Sequence, residues 1–362
     1  MKEAYLHYIW KTKSFDQTNL KTLSGQTLQI IDYGMHNQNE GGPDFLFAKV
    51  LIDDILLYGH VEIHVDAKEW YAHQHQNDPA YDNVILHVVL KGGVKGPTHI
   101  STLELEHRLN YTSYNQWQNM SKDLSIYPCH YYIDQVPEFI RESLLFNSFL
   151  QRLNRKMVSF QMDYGDVDDI SLLKILCAKA LGSSVNGEAF VQWTQRNWIE
   201  VSNTKNATDT ILLKAKGVRP GSHPKRRLIQ LRWLFENWKY MAFELEHISD
   251  YRSFRKQWLK RLNEQSPIPF TNFTADQLFI NAILPVLYRS AERDQREDLI
   301  QQVIQLYQQI PAEKNTIVNR WSKELFPLVN AIHSQGALEW TRFSCDKRQC
   351  LNCSIGHKAL QQ

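Results

Sequence analysis

"GPDFLFAKVLIDDILLYGHVEIHV", residues 42–65, carries two runs of apolar and β-branched residues on either side of Asp53-Asp54. Residues 45–52 and 55–65 therefore read as two strands joined by a tight turn, which is a hairpin signal. Alternate side chains of a strand point to opposite faces, so Val61, Ile63 and Val65 enter the core while Glu62 and His64 share the other face. Asp44 opens the partner strand, and antiparallel pairing brings the start of one strand beside the end of the other. Asp44, Glu62 and His64 thus come within reach of one another. The plainest reading of such a strand is a polar face toward solvent, with Asp44 as a turn residue after Pro43.

Working outward, residues 2–10 ("KEAYLHYIW") have a helical pattern, and "TLQIIDYG" at 27–34 reads as a strand closed by Gly34. "NVILHVVL" at 83–90 is a nearly continuous apolar run, as expected of a strand buried on both faces, and "HISTLELEHRL" at 99–109 alternates again. Residues 1–110 are expected to form an αβ domain with a mixed sheet. From Tyr111 the apolar residues take helical spacing, so 111–340 is read as a helical region. Breaks at 163–169, 202–209 and 264–272 offer subdomain boundaries, and 341–362 is a cysteine-containing tail. The fold class is α+β.

The 362 residues suit two or three domains, and a net charge of +2 announces no nucleic-acid partner for the chain as a whole; any such footprint is local. The first 25 residues lack a signal pattern and no apolar run reaches membrane length, so the expectation is a cytoplasmic chain with no membrane partner.

Two carboxylates meeting at one sheet edge repel unless a cation sits between them, and an oxygen-rich site of this type suits Mg²⁺ or Mn²⁺. Such an ion activates water and clamps a phosphodiester oxygen. "GPDF" followed by "VEIH" resembles the PD-(D/E)XK nuclease superfamily, whose core is an αβββαβ sheet. The resemblance implies a restriction-endonuclease-like amino-terminal domain that hydrolyses DNA. It makes Asp44 and Glu62 metal ligands, with the carbonyl of Ile63 as a third. His64 stands where that superfamily usually has lysine. A neutral imidazole binds metal or acts as a base near neutral pH but supplies no permanent charge; Lys68 or Lys49 is the candidate substitute. The chain as a whole resembles domain-of-unknown-function family 2851, through "GGPDF", "GHVEIH", "NVILHVV", "GVRPGSHPKRRL" and "CDKRQCLNC".

Histidines 36, 60, 64, 73, 75, 87, 99 and 107 crowd the αβ region. His73 and His75, with His64 and Asp78 or Asp82, offer a zinc or manganese site, whereas His87 inside an apolar strand reads as a hydrogen-bonded core residue. At the other end, Cys345, Cys350 and Cys353 have C-x4-C-x2-C spacing, which suits a soft metal. His357 as a fourth ligand gives a zinc site, and Cys129 gives zinc or a 4Fe-4S cluster; an iron-sulfur staple occurs in some nucleases of the superfamily resembled.

"RPGSHPKRRLIQLR" at 219–232 gathers Arg219, Lys225, Arg226, Arg227 and Arg232 at a helix start, a phosphate-binding pattern. "RSFRKQWLKR" at 252–261 interleaves basic residues with Phe254 and Trp258, which suits single strands by charge and stacking, or an ordinary helix with its aromatics turned inward. The leading expectation is metal-dependent hydrolysis of DNA phosphodiester bonds. Its rivals are a non-catalytic nucleic-acid-binding scaffold and a hydrolase of a small substrate acting through His64, His73 and His75.

Overall fold

The computed structural model describes residues 1–37, 41–92, 96–199, 212–215, 223–241, 248 and 250–361. They divide into two compact units, Met1–Gln135 with Arg348–Gln362, and Val136–Lys347.

The first unit opens with α1 (Glu3–Thr12), then β1 (Leu28–Asp32), the short β2 (Met35–His36), β3 (Phe45–Ile52) and β4 (Ile55–Asp66). The hairpin forms at the expected residues. Ile52 pairs with Ile55, and Asp53 and Asp54 both take positive φ, 44° and 69°, as a two-residue turn matched to strand twist demands. A one-turn helix, α2 (Glu69–Ala72), leads to β5 (Val84–Lys91), which lies parallel to β4, and β6 (Ser101–Glu104) lies parallel to β5. The sheet order is β1-β3-β4-β5-β6, with β2 on β3 and antiparallel pairing as far as β4. The sheet is mixed, as read from the sequence.

Tyr5, Leu6, Ile9 and Trp10 of α1 pack on Phe45, Val50, Val61, Ile63, Leu86 and Val88 across one face. On the other face Trp70 joins Val84 and Ile100. β5 is accordingly buried on both sides. Burying a Trp or Phe side chain contributes on the order of 2–3 kcal/mol, so the two faces fix the sheet between them.

The first unit extends past residue 110, where the sequence alone suggested an end. Helix α3 (Tyr111–Lys122) inserts Trp117 and Met120 into the same core, and α13 (Ser354–Leu360) adds Ala359 and Leu360. Trp117 stacks on Tyr5 with centroids 5.3 Å apart. Apolar stripes on these helices, invisible as domain markers, tie both segments to the sheet.

The second unit is helical. It runs from α4 (Glu138–Tyr164) and α5 (Asp169–Thr194) through α6 (Pro224–Glu236), α7 (Tyr251–Asn263), α8 (Asn272–Leu278), α9 (Leu284–Arg293), α10 (Glu297–Gln309) and α11 (Thr316–Glu324) to α12 (Ala331–Trp340). Gly165 ends α4 and Asp168 caps α5 through the N–H groups of Ile170 and Ser171, so 163–169 is a turn between packed helices. The break at 202–209 lies outside the described residues. No described helix is long and apolar enough to cross a membrane.

Gly59 of β4 decides how closely β5 approaches, because a Cβ there would lie 2.3 Å from the backbone oxygen of Asn83. That oxygen also accepts the N–H of His60 at 2.9 Å. Gly59→Ala must push the start of β5 away from β4. The expected cost is about 1–3 kcal/mol, read as a lower urea midpoint at unchanged m-value.

Candidate metal centre

Glu62 and His64 do share one face of β4, but that face is not in solvent. Glu62 is 5% exposed and His64 1%. The cover is the crossover to β5. Glu69 Oε2 accepts the N–H groups of Val65 (3.0 Å) and Asp66 (3.3 Å), which folds the chain back at the end of β4. Trp70 is buried beside His75 and His87, with ring centroids 5.4 and 5.5 Å away. Gln74 takes φ +61° between the two histidines, and the His75 ring stacks on Tyr81 at 3.9 Å. This return path carries His73 and His75 back over His64.

The nitrogens and one carboxylate oxygen converge. His64 Nε2 lies 3.2 Å from His73 Nδ1, 3.3 Å from His75 Nε2 and 3.5 Å from Glu62 Oε1, and His75 Nε2 is 3.2 Å from the same Glu62 oxygen. Donors bound tetrahedrally to one zinc ion at 2.0–2.1 Å are separated by roughly 3.3–3.4 Å. The four contacts are near that edge length, although the group whose donors all lie within reach of one another is the three histidines without Glu62. Donor atoms of His64, His73 and His75 all lie within 4.8 Å of one another, the one such group of three or more potential ligands found among the described residues.

Burial sets the charge state. It pushes the Glu62 carboxyl up to about 9, with Asp44's negative charge adding to it. It presses His64 down to about 3, helped by the neighbouring imidazoles of His87, His75 and His73, and His87 down to about 4, helped by His75. His75 is lowered too, by burial and by His73. Neutral imidazoles with lone pairs are what a metal requires. His87, fully buried as expected of a core histidine, places Nε2 2.9 Å from His64 Nδ1. If His64 Nδ1 carries the proton and donates it to His87, His64 Nε2 is left free to bind metal, the usual arrangement behind a ligating histidine.

Asp44 is next to this group but faces another way. Its backbone N–H donates to Glu62 Oε2 (3.1 Å), its Oδ2 accepts the N–H of Ile63 (2.9 Å), and that oxygen is 3.2 Å from His7 Nε2 on α1. Asp44 and Glu62 are thus linked through the backbone. For His7, burial works against a charged ring, but the hydrogen bond and charge of Asp44 outweigh it and hold the ring above its ordinary value. His7 was not singled out in the sequence; its signal was the Glu3-His7 spacing of four on a helix, a pair 3.8 Å apart. Ile63 itself is core, paired with Val88.

Asp78 caps the short turn at Ala80 (2.9 Å) and Asp82 is exposed. Lys68 pairs with Asp66 at 3.2 Å, and Lys49 lies over the Tyr58 ring at 5.4 Å. Each is engaged away from the histidines.

The tail divides. Cys345 falls in the helical unit, Cys129, Cys350 and Cys353 in the first. His357, one of the two candidate fourth ligands, directs its ring nitrogens toward Tyr8 Oη (2.7 Å) and Gln361 Nε2 (2.8 Å). Of the basic run, Arg219 lies outside the described residues. Lys225 and Arg226 are exposed on the first turn of α6. Arg227 is buried, donating to Gln230 Oε1 (3.0 Å) and Thr274 Oγ1 (2.7 Å), because it shares the inner face of the helix with Leu231. It cannot meet phosphate. In the second run Phe254 and Trp258 pack on Phe279 at 5.8 and 5.4 Å, so those rings are not a stacking surface.

No curated protein and no solved structure matches the chain. Residues 3–215 and 199–316 match the model of one family, described as "Protein of unknown function (DUF2851)". The chain, with its histidine-lined β4 crossover, belongs to that family.

Proposed function

We propose that the chain is a metal-dependent hydrolase of phosphodiester bonds in DNA, its metal held by His64, His73 and His75 with Glu62 beside them. The convergence of those donors at ligand-to-ligand distances carries the reading. Three imidazoles and a carboxylate suit Zn²⁺, or Mn²⁺, better than the oxygen-loving Mg²⁺. A bound ion of this kind supplies a water of lowered pKa and polarises a phosphoryl oxygen. His87 orients His64, and Glu62 serves as ligand or takes the proton of the attacking water. Asp44 and His7, paired at 3.2 Å at the end of the same strand pair, are a candidate proton donor for a leaving oxygen. The DNA substrate rests on the nuclease resemblance of the sequence and on the antiparallel run β1-β3-β4 followed by the parallel β5, which approaches the αβββαβ order that resemblance implies once the short β2 is set aside.

A second reading concerns the tail. Burial and the charges of Cys353 and Cys350 together raise the Cys129 thiol, so the three thiols are near neighbours. Their sulfurs do not gather within the 4.8 Å that the imidazoles do, so the reading of a structural zinc or iron-sulfur centre rests on the C-x4-C-x2-C spacing. Brown protein with absorbance near about 400 nm, lost in Cys350→Ser, is the expected sign of a cluster; colourless protein with zinc lost in the same variant indicates zinc.

Purified protein should cleave single- or double-stranded DNA with Zn²⁺ or Mn²⁺, and His73→Ala and Glu62→Gln should each lower the rate by at least about 100-fold. Cleavage equal in all three proteins would refute the assignment. Metal affinity should also depend on pH. Without metal Glu62 is protonated up to about 9, and binding ionises it, releasing one proton. Affinity is expected to rise about tenfold per pH unit from about pH 7 toward that value. Chelator competition should find this slope in the parent protein and a flat profile in Glu62→Gln.

A further inference from the structure

The strand face that carries Glu62 and His64 continues, two and four residues earlier, into His60 and Tyr58. Across the hairpin Tyr58 pairs with Lys49, and beyond Lys49 the ladder is interrupted by a bulge between Phe45 and Ala48. Phe47 sits in that bulge at φ +61°, its N–H donating to His60 Nδ1 at 3.3 Å and its ring 5.7 Å from the imidazole. A bulky side chain in the left-handed region is strained, and such strain persists where the surroundings impose it, often next to functional sites. What the bulge does here is present a ring. Phe47 is 64% exposed and Tyr58 58%.

We infer that Phe47 and Tyr58 form a stacking platform for the bases of single-stranded nucleic acid, feeding the neighbouring metal centre. The inference rests on reading that centre as a phosphodiester hydrolase, and it names the form of the substrate. Every base has a π-face, so two exposed rings bind bases irrespective of sequence, and cations between the rings meet the backbone. The polar residues interleaved with the rings are Lys49, 5.4 Å over Tyr58, and His60. Asp32, the carboxylate paired in register with Lys49, is turned to the N–H of Gly34 at 2.9 Å. The face is therefore aromatic, with the Lys49 ammonium over one of its rings. A second copy of the chain fits it worse, since a twofold contact through this patch would set Lys49 against Lys49 in an apolar interface. Tyr58 to Glu62 is four residues, about 13 Å along the strand, so a chain stacked on the rings runs toward the centre.

The test is anisotropy of a labelled oligothymidylate with the full chain in EDTA, which separates binding from metal chemistry. Phe47→Gly removes the ring at a backbone angle that glycine accepts freely, so the fold is kept; Tyr58→Leu removes the other. Each should weaken binding by at least about fivefold, the double variant by more. Phe47→Tyr and Tyr58→Phe should bind like the parent, and zinc affinity should be the same in all. Equal binding by the double variant and the parent overturns the platform, as does no binding by the parent or tighter binding of duplex. A dimer that dissociates in the double variant also overturns it, in favour of a second copy. Ring-dependent binding without cleavage by the parent would leave the platform standing and remove only the hydrolase reading. Cleavage of single strands at unchanged KM in the double variant would do the reverse.

Discussion

A carboxylate and two imidazoles, Glu62, His64 and His87, packed against one another away from water are costly to bury unless a cation or a shared proton satisfies them. The first unit sets these groups together on and beside β4. Glu62 and His64 are fixed by the strand, His73 and His75 by the crossover that follows it, and His87 by the parallel strand beside it. Were any of these three elements displaced, the donors would separate and the polar face of β4 would need solvent. The burial that raises Glu62 and lowers His64 has the same origin, the cover provided by Trp70 and the turns around it.

The opposite face of the sheet keeps the arrangement rigid. Leu6, Ile9 and Trp10 lie on Val61 and Ile63, the residues that alternate with Glu62 and His64, so the register of the core is also the register of the centre. The same helix brings His7 to Asp44. Toward the hairpin end the cover stops and the face opens to solvent, where Phe47 and Tyr58 replace the buried donors. One strand thus passes from the exposed rings to the buried Glu62 and His64 within a few residues.

In the helical unit the charges follow helical geometry. Lys225 and Arg226 point outward and Arg227 inward, one residue apart, because a turn of 3.6 residues puts Arg227 on the stripe with Leu231. The basic-aromatic run at 252–261 likewise resolves into an outer charged face and rings packed on Phe279. A cluster of basic letters does not say which of them meets solvent.

Local rules read from the sequence were enough for the hairpin, its two-residue turn, the doubly buried β5 and the change to helices after Tyr111. Each depends on periodicity and turn chemistry within a dozen residues. Asp44, Glu62 and His64 were legible together for the same reason, since a hairpin register is local. The sequence also placed His73 and His75 near one another, but could not choose between a solvated loop and a ligand pair. The crossover folding back over β4, through Glu69 capping the strand end and Trp70 burying itself, sets that pair against His64, and these are contacts of tertiary structure. The same folding turned an expected solvent face into a buried one and shifted the metal reading from paired carboxylates to histidines. Membership of α3 and α13 in the first unit was likewise decided by where their apolar stripes docked, because a stripe records that a helix face is covered and not what covers it.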